Sequence, residues 1–143
     1  MRLVLRLDLP ADARFLTMAR RAMDEYLDEA GLVGDEREDL VLALDEACAN
    51  VIRHAFPGGS GRISMTAERC EQEVVVQVED DGVGFDASAP RPKPGPYDTS
   101  GRGLSIIRGV MTSVDVDSSA GGTRVVMRKV LSGGAHDLEL AAH

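Results

Sequence analysis

The sequence predicts an α+β fold, a two-layer sandwich whose mostly antiparallel, mixed sheet carries helices on one face. Three observations predict it. Apolar residues recur with period two at the start, then at three and four, then at two again. The resulting order is strand, helix, helix, strand, strand, loop, helix, strand, strand. Neighbouring strands joined by short turns pair antiparallel, and a sheet that buries one face under helices closes as two layers. This order does not alternate strictly enough for a Rossmann fold.

Each element has its own signal. Over residues 2–9, Leu3, Leu5, Leu7 and Leu9 alternate with Arg2, Arg6 and Asp8, and Pro10 ends the strand. Over 12–30, Phe15, Ala19, Ala22, Met23, Tyr26 and Ala30 form a helical stripe, with Gly31 placed to cap it. Asp35 with Glu38 three positions on resembles a capping box for a second helix. Leu40, Leu44, Ala47 and Val51 are its core stripe, and Phe56–Gly61 stops it. Residues 62–69 and 73–80 read as strands turning at Glu71 and Gln72. Pro90, Pro92, Pro94 and Pro96 exclude a helix or central strand from the segment 86–101. Residues 103–111 read as a helix, and 113–117 and 123–130 as strands joined by Ser118–Gly122. The expectation is one domain over 1–131 and a frayed tail over 132–143.

Composition removes several function classes. The 143 residues suit one core, and the net charge of −8 disfavours a nucleic-acid binder built on a basic surface. No apolar run approaches the roughly 20 residues that span a bilayer. Arg6 and Asp8 break the N-terminal apolar stretch, so it is not read as a secretory signal. Cys48 and Cys70 form no disulfide framework, and reduced thiols in the cytoplasm are expected. His54, His136 and His143 lie too far apart in sequence to predict a zinc site.

The residues with chemical potential fall into four groups. Glu46, Asn50 and His54 are spaced four and four on the second helix, with Arg53 on the same face. Asn and Glu oxygens suit a hard cation such as Mg²⁺, and a nearby Glu can accept a proton. Asp80-Asp81-Gly82-Val83-Gly84 follows a strand, where a carboxylate can accept from an exocyclic amine. Gly101-Arg102-Gly103-Leu104 precedes a helix, where backbone N–H groups can face a phosphate. Gly121-Gly122-Thr123 opens the last strand. Each glycine group alone also reads as a plain turn, and the polar stripe as a solvated helix face.

In order, these groups resemble the N, G1, G2 and G3 boxes of the GHKL (Bergerat-fold) ATPases, from about Leu40 to Lys129. Glu46–Ala55 and Gly101–Ile107 are most similar to the stand-alone anti-sigma-factor serine/threonine kinases. The resemblance implies ATP and Mg²⁺ as cofactors. It implies Asn50 as the Mg²⁺ holder, Glu46 as general base and Asp80 as the acceptor of the adenine amino group. Gly82 and Gly84 would admit the nucleotide, 86–100 would be the ATP lid, and Gly101, Arg102, Gly103 and Leu104 would form the phosphate side. Thr123 would sit near the adenine, while Arg53 and His54 receive no chemical role. The implied partners are an anti-anti-sigma (STAS-domain) protein and a sigma factor or similar regulator, with no direct nucleic acid and no membrane. Such kinases often form homodimers, which this sequence leaves undecided. The alternative is a nucleotide-binding partner-switching module without kinase activity.

Overall fold

The computed structural model describes residues 2–54, 61–82, 100–119 and 121–132, with the backbone alone for His54, Ser100, Gly101, Arg102 and Ser119. Gly84, residues 86–99 of the expected lid and residues 133–143 of the expected tail lie outside the described residues.

Strand β1 spans Leu3–Pro10, and its side chains alternate between half-buried and exposed as the leucine pattern predicts. The helix expected over 12–30 is split. Asp12 accepts from the Arg14 N–H at 2.9 Å and caps a 3-10 turn over Ala13–Phe15. Helix α1 then runs over Leu16–Glu29. It ends in a Schellman motif: the Leu32 N–H donates to Leu27 O at 2.9 Å and the Gly31 N–H to Asp28 O at 3.1 Å. Gly31 takes φ of +74°, a left-handed conformation that costs glycine little. Helix α2 spans Gly34–His54, so Asp35 lies with Glu36 inside the first turn, where carboxylates oppose the helix dipole favourably.

Strands β2 (Arg62–Cys70) and β3 (Glu73–Asp80) meet through the expected two-residue turn. Helix α3 covers Ser100–Val110, three residues longer at its start than the sequence predicts. Ser100, the last residue of the expected lid, is therefore helical. Strands β4 (Ser113–Ser119) and β5 (Gly122–Val130) complete the sheet. Its order is β1-β2-β3-β5-β4, and every ladder is antiparallel. No parallel pair of the kind a mixed sheet requires occurs among the described residues.

Register lines the inner face up in rows. Leu5, Ala67, Val76, Met127 and Val114 form one row across all five strands. Leu7, Met65, Val78, Val125 and Val116 form the next. Met23 and Leu27 of α1, Leu40 and Leu44 of α2 and Ile107 of α3 are fully buried and belong to the same core cluster. The expected stripe Leu40, Leu44, Ala47 and Val51 is buried throughout. Cys48 sits among these residues, and burial pushes its thiol up to about 12, away from thiolate chemistry.

The two ends of this sandwich differ. At one, Lys129 Nζ donates to Asp39 Oδ2 of α2 at 2.8 Å and to Val110 O, in the last turn of α3, at 2.6 Å. That ties the start of α2 and the end of α3 to the far part of β5. The end of α2 and the start of α3 therefore lie toward the other end, where Leu9, Ile63, Asp80, Thr123 and Ser118 form the last inner row. Thr123 and Lys129 are six steps apart along β5, about 20 Å of strand.

Candidate active site

The site begins on α2. Glu46 and Asn50 are one turn apart and half-buried, while Ala47 and Val51 between and beyond them point into the core. Arg53 Nη2 lies 4.0 Å from Glu46 Oε2, and its Nε donates to Ala49 O at 3.2 Å. The cation therefore borders the face that carries Glu46.

Asn50 meets α3. A Cβ added to Gly103 would stand 2.8 Å from both Oδ1 and Nδ2 of Asn50, closer than real contacts allow. Only a glycine lets the carboxamide occupy this position. The Asn50 Oδ1 is also buried with no hydrogen-bond partner among the described residues. A buried acceptor left alone is costly, and a hard cation is a fitting partner for a neutral carbonyl oxygen. The residues present thus fit Mg²⁺, with Asn50 as the side chain that would hold it.

Gly101, Arg102 and Gly103 lie within the first turn of α3 rather than before it. The first-turn N–H groups of a helix have no partner inside it, so they keep their capacity for an anion. That turn carries no acidic residue. Leu104 is buried at 7% exposure and belongs to the core cluster, so its side chain packs rather than facing a ligand.

Asp80 closes the site from the sheet. It is 6% exposed at the end of β3, and Thr123 opposite it is 7% exposed. Asp80 Oδ1 accepts from the Gly82 N–H at 2.9 Å. Burial raises the Asp80 carboxyl above its ordinary value, while bonds from the backbone N–H groups of Gly82 and Thr123 pull the other way. Its neighbour Asp81 points elsewhere and accepts from the Arg62 N–H at 3.2 Å. This separates the inward carboxylate from the outward one, as the strand period requires.

Two groups in this region receive no individual role from the sequence. Gly122, with φ of +137°, has Asp80 O only 2.0 Å from where a Cβ would stand. Ser118 Oγ lies 2.8 Å from Thr123 Oγ1. The Ser118–Gly122 segment signals a turn in sequence, but the cross-strand partner that gives each residue its role does not appear there.

The structure thus joins Asn50 to Gly103, and Asp80 to Gly82, Thr123 and Ser118, at one end of the sandwich. A family model described as a histidine kinase-like ATPase domain matches residues 9–129. The chain belongs to that family. A serine-protein kinase RsbW from Bacillus cereus is 32% identical over 132 residues, covering 86% of this chain and 82% of the relative. A serine-protein kinase RsbW from Bacillus mycoides is 30% identical with the same coverage. The solved RsbU and RsbW domains of a Mycobacterium tuberculosis protein match with a TM-score of 0.69 at 21% identity. That match covers 90% of this chain and 32% of the other, so this chain spans about a third of it. A blue-light activated histidine kinase from Erythrobacter litoralis gives a TM-score of 0.56 at 24% identity, over 71% of this chain and 48% of that one. The two structural likenesses show the fold. With the family and the RsbW relatives, the chain is a protein kinase with an ATP-binding fold. No described helix is long and apolar enough to cross a membrane.

Proposed function

We propose that this chain is a Mg²⁺- and ATP-dependent serine/threonine kinase that phosphorylates a small STAS-domain anti-anti-sigma protein and sequesters a sigma factor or similar regulator. The observation that carries the chemistry is the buried Asn50 Oδ1, without a hydrogen-bond partner among the described residues, against the first turn of α3 and one helical turn from Glu46. The RsbW relatives, named as serine-protein kinases, support a serine or threonine acceptor.

Each residue then has a task. Asp80 and Thr123 bind the adenine edge at the end of the sheet. Gly82 keeps the backbone small beside it, a part Gly84 shares. The first turn of α3, with Gly101, Arg102 and Gly103, receives the phosphates. Mg²⁺, when bound with the nucleotide, would neutralise charge on the transferred phosphoryl group. Glu46 takes the proton from the attacking hydroxyl, a contribution of about 10²–10⁴-fold for a positioned base. The segment before α3 is assigned the role of ATP lid, without Ser100, which belongs to α3. The domain is read as 1–131, acting in the cytoplasm.

The test is transfer of labelled phosphate from Mg-ATP to candidate STAS proteins by the wild-type chain and by Glu46→Ala and Asn50→Ala. Transfer should fall at least 100-fold in Glu46→Ala with ATP affinity kept. In Asn50→Ala, Mg-ATP affinity should fall as well. Undiminished phosphorylation by Glu46→Ala would remove it from the base role. ATP binding with no transfer to any candidate would favour a switch without catalysis.

A further inference from the structure

We infer that Ser118 is a positioning residue for purine recognition, orienting the Thr123 hydroxyl so that its proton is offered to the ring nitrogen beside the amino group that Asp80 accepts. The inference rests on the adenine-binding reading of this end of the sheet.

Ser118, Thr123 and Asp80 are consecutive members of one inner row, on β4, β5 and β3. Asp80 and Thr123 are both buried, and Ser118 is half-buried beside them. The adenine edge presents an amino donor next to a ring-nitrogen acceptor. An ionised carboxylate only accepts, so Asp80 can serve the amino group but not the ring nitrogen. The acceptor needs a donor beside Asp80, and the Thr123 hydroxyl occupies the neighbouring position in the row.

A hydroxyl has one proton and two lone pairs. At 2.8 Å, Ser118 Oγ and Thr123 Oγ1 share one hydrogen bond in which either can donate. If Thr123 donates to Ser118, its proton is spent within the protein. If Ser118 donates to Thr123, the Thr123 proton is left for the base. A purine with a keto oxygen and a ring N–H reverses the pattern and opposes both Asp80 and the oriented hydroxyl. Ser118 thus acts on the base through Thr123 and does not touch it.

The experiment measures affinities of Mg-ADP, Mg-IDP and the Mg-diphosphate of 1-deazaadenosine, which lacks that ring nitrogen. The proteins are the wild-type chain, Ser118→Ala, Ser118→Thr and Asp80→Asn. Ser118→Ala should weaken ADP about 3–10-fold, the range for one oriented neutral hydrogen bond. It should leave the deaza analogue within about two-fold of wild type and narrow the ADP-over-IDP preference. Ser118→Thr, which keeps the hydroxyl, should restore wild-type values. Equal losses for ADP and the deaza analogue would mean a structural role and overturn the inference, as would unchanged ADP affinity in Ser118→Ala. Asp80→Asn tests the underlying reading separately: ADP affinity equal to wild type there would overturn adenine binding itself.

Discussion

Asn50 and Gly103 meet so closely that a methyl group on the glycine would stand 2.8 Å from the carboxamide. Gly103→Ala therefore has to push Asn50 aside or move α3. Mg-ATP affinity should drop at least ten-fold while the folded state survives, because the clash is with the end of a side chain. Calorimetric titration with and without Mg²⁺ checks this, and loss confined to the Mg²⁺-containing titration identifies Asn50 as the displaced group. Gly122 stands differently, because its neighbour is the Asp80 backbone carbonyl. Gly122→Ala should destabilise the fold by about 2 kcal/mol or more, since backbone cannot rotate away and the residue also has φ of +137°. A denaturant midpoint measured on the purified variant decides it.

Asp80 carries a pH prediction. Its carboxyl is raised by burial, so the folded state binds this proton more tightly than the unfolded chain does. The resulting stability is fully present below the unfolded value and is lost as pH rises through the raised folded value. At neutral pH the ionised group is thus a cost to the apo protein, and Asp80→Asn should unfold at a higher temperature than wild type. On the proposed adenine-binding reading, the ionised form is the stronger acceptor for the amino group. ADP affinity should therefore fall as pH drops, with a midpoint above the ordinary carboxylate value, and Asp80→Asn should lose about 10–100-fold at neutral pH. Thermal melts and ADP titrations across the acid range check both signs.

At the scale of elements, the helices and strands were legible because each buries one face and so shows its period. Leu40, Leu44, Ala47 and Val51 needed only helical spacing, and the β1 leucines only alternation. The start of α3 was not legible: two glycines at its head read as a turn, yet packing against Asn50 makes the glycine an interface residue inside the helix. Gly122 and Ser118 gain their roles from strands paired across the sheet, and such register is invisible to local pattern. The Lys129–Asp39 pair spans 90 residues and had no local signal either. Lys129 is the element-scale anchor, since it fastens α2 and α3 to β5 from 15% side-chain exposure. Lys129→Met keeps the apolar stem and removes both bonds. It should cost about 1–3 kcal/mol, and a cycle with Asp39→Asn should show coupling of at least about 0.5 kcal/mol. Urea midpoints of the two single variants and the double variant measure it, and additive losses would mean that the ion pair holds nothing together.

Across the whole molecule, charge is uneven. Residues 22–46 hold ten acidic residues and one basic, a net of −9, while residues 87–130 hold seven basic and three acidic, a net of +4. The acidic segment covers the second half of α1 and the first half of α2. Its charges do two jobs. Arg37 pairs with Asp28 at 2.5 Å and with Asp24 at 3.5 Å, joining α2 to α1, and Arg20 pairs with Asp45. Glu25 and Glu29 are exposed and form no ion pair among the described residues. Long-range attraction depends on net charge rather than on pairing, so every carboxylate contributes to the field. Neutralising Asp24 or Asp28 would also loosen the helix pair and confuse the two effects. Glu25→Gln with Glu29→Gln changes the field alone. On the reading that this acidic face steers a basic protein partner, the double variant should associate with that partner about two- to five-fold more slowly at low salt. The difference should shrink toward nothing as ionic strength rises and the Debye length falls below about 8 Å. Dissociation should change little, because steering acts before contact. Stopped-flow association across a salt series checks this, and an on-rate unchanged by the double variant at low salt would place the docking surface elsewhere.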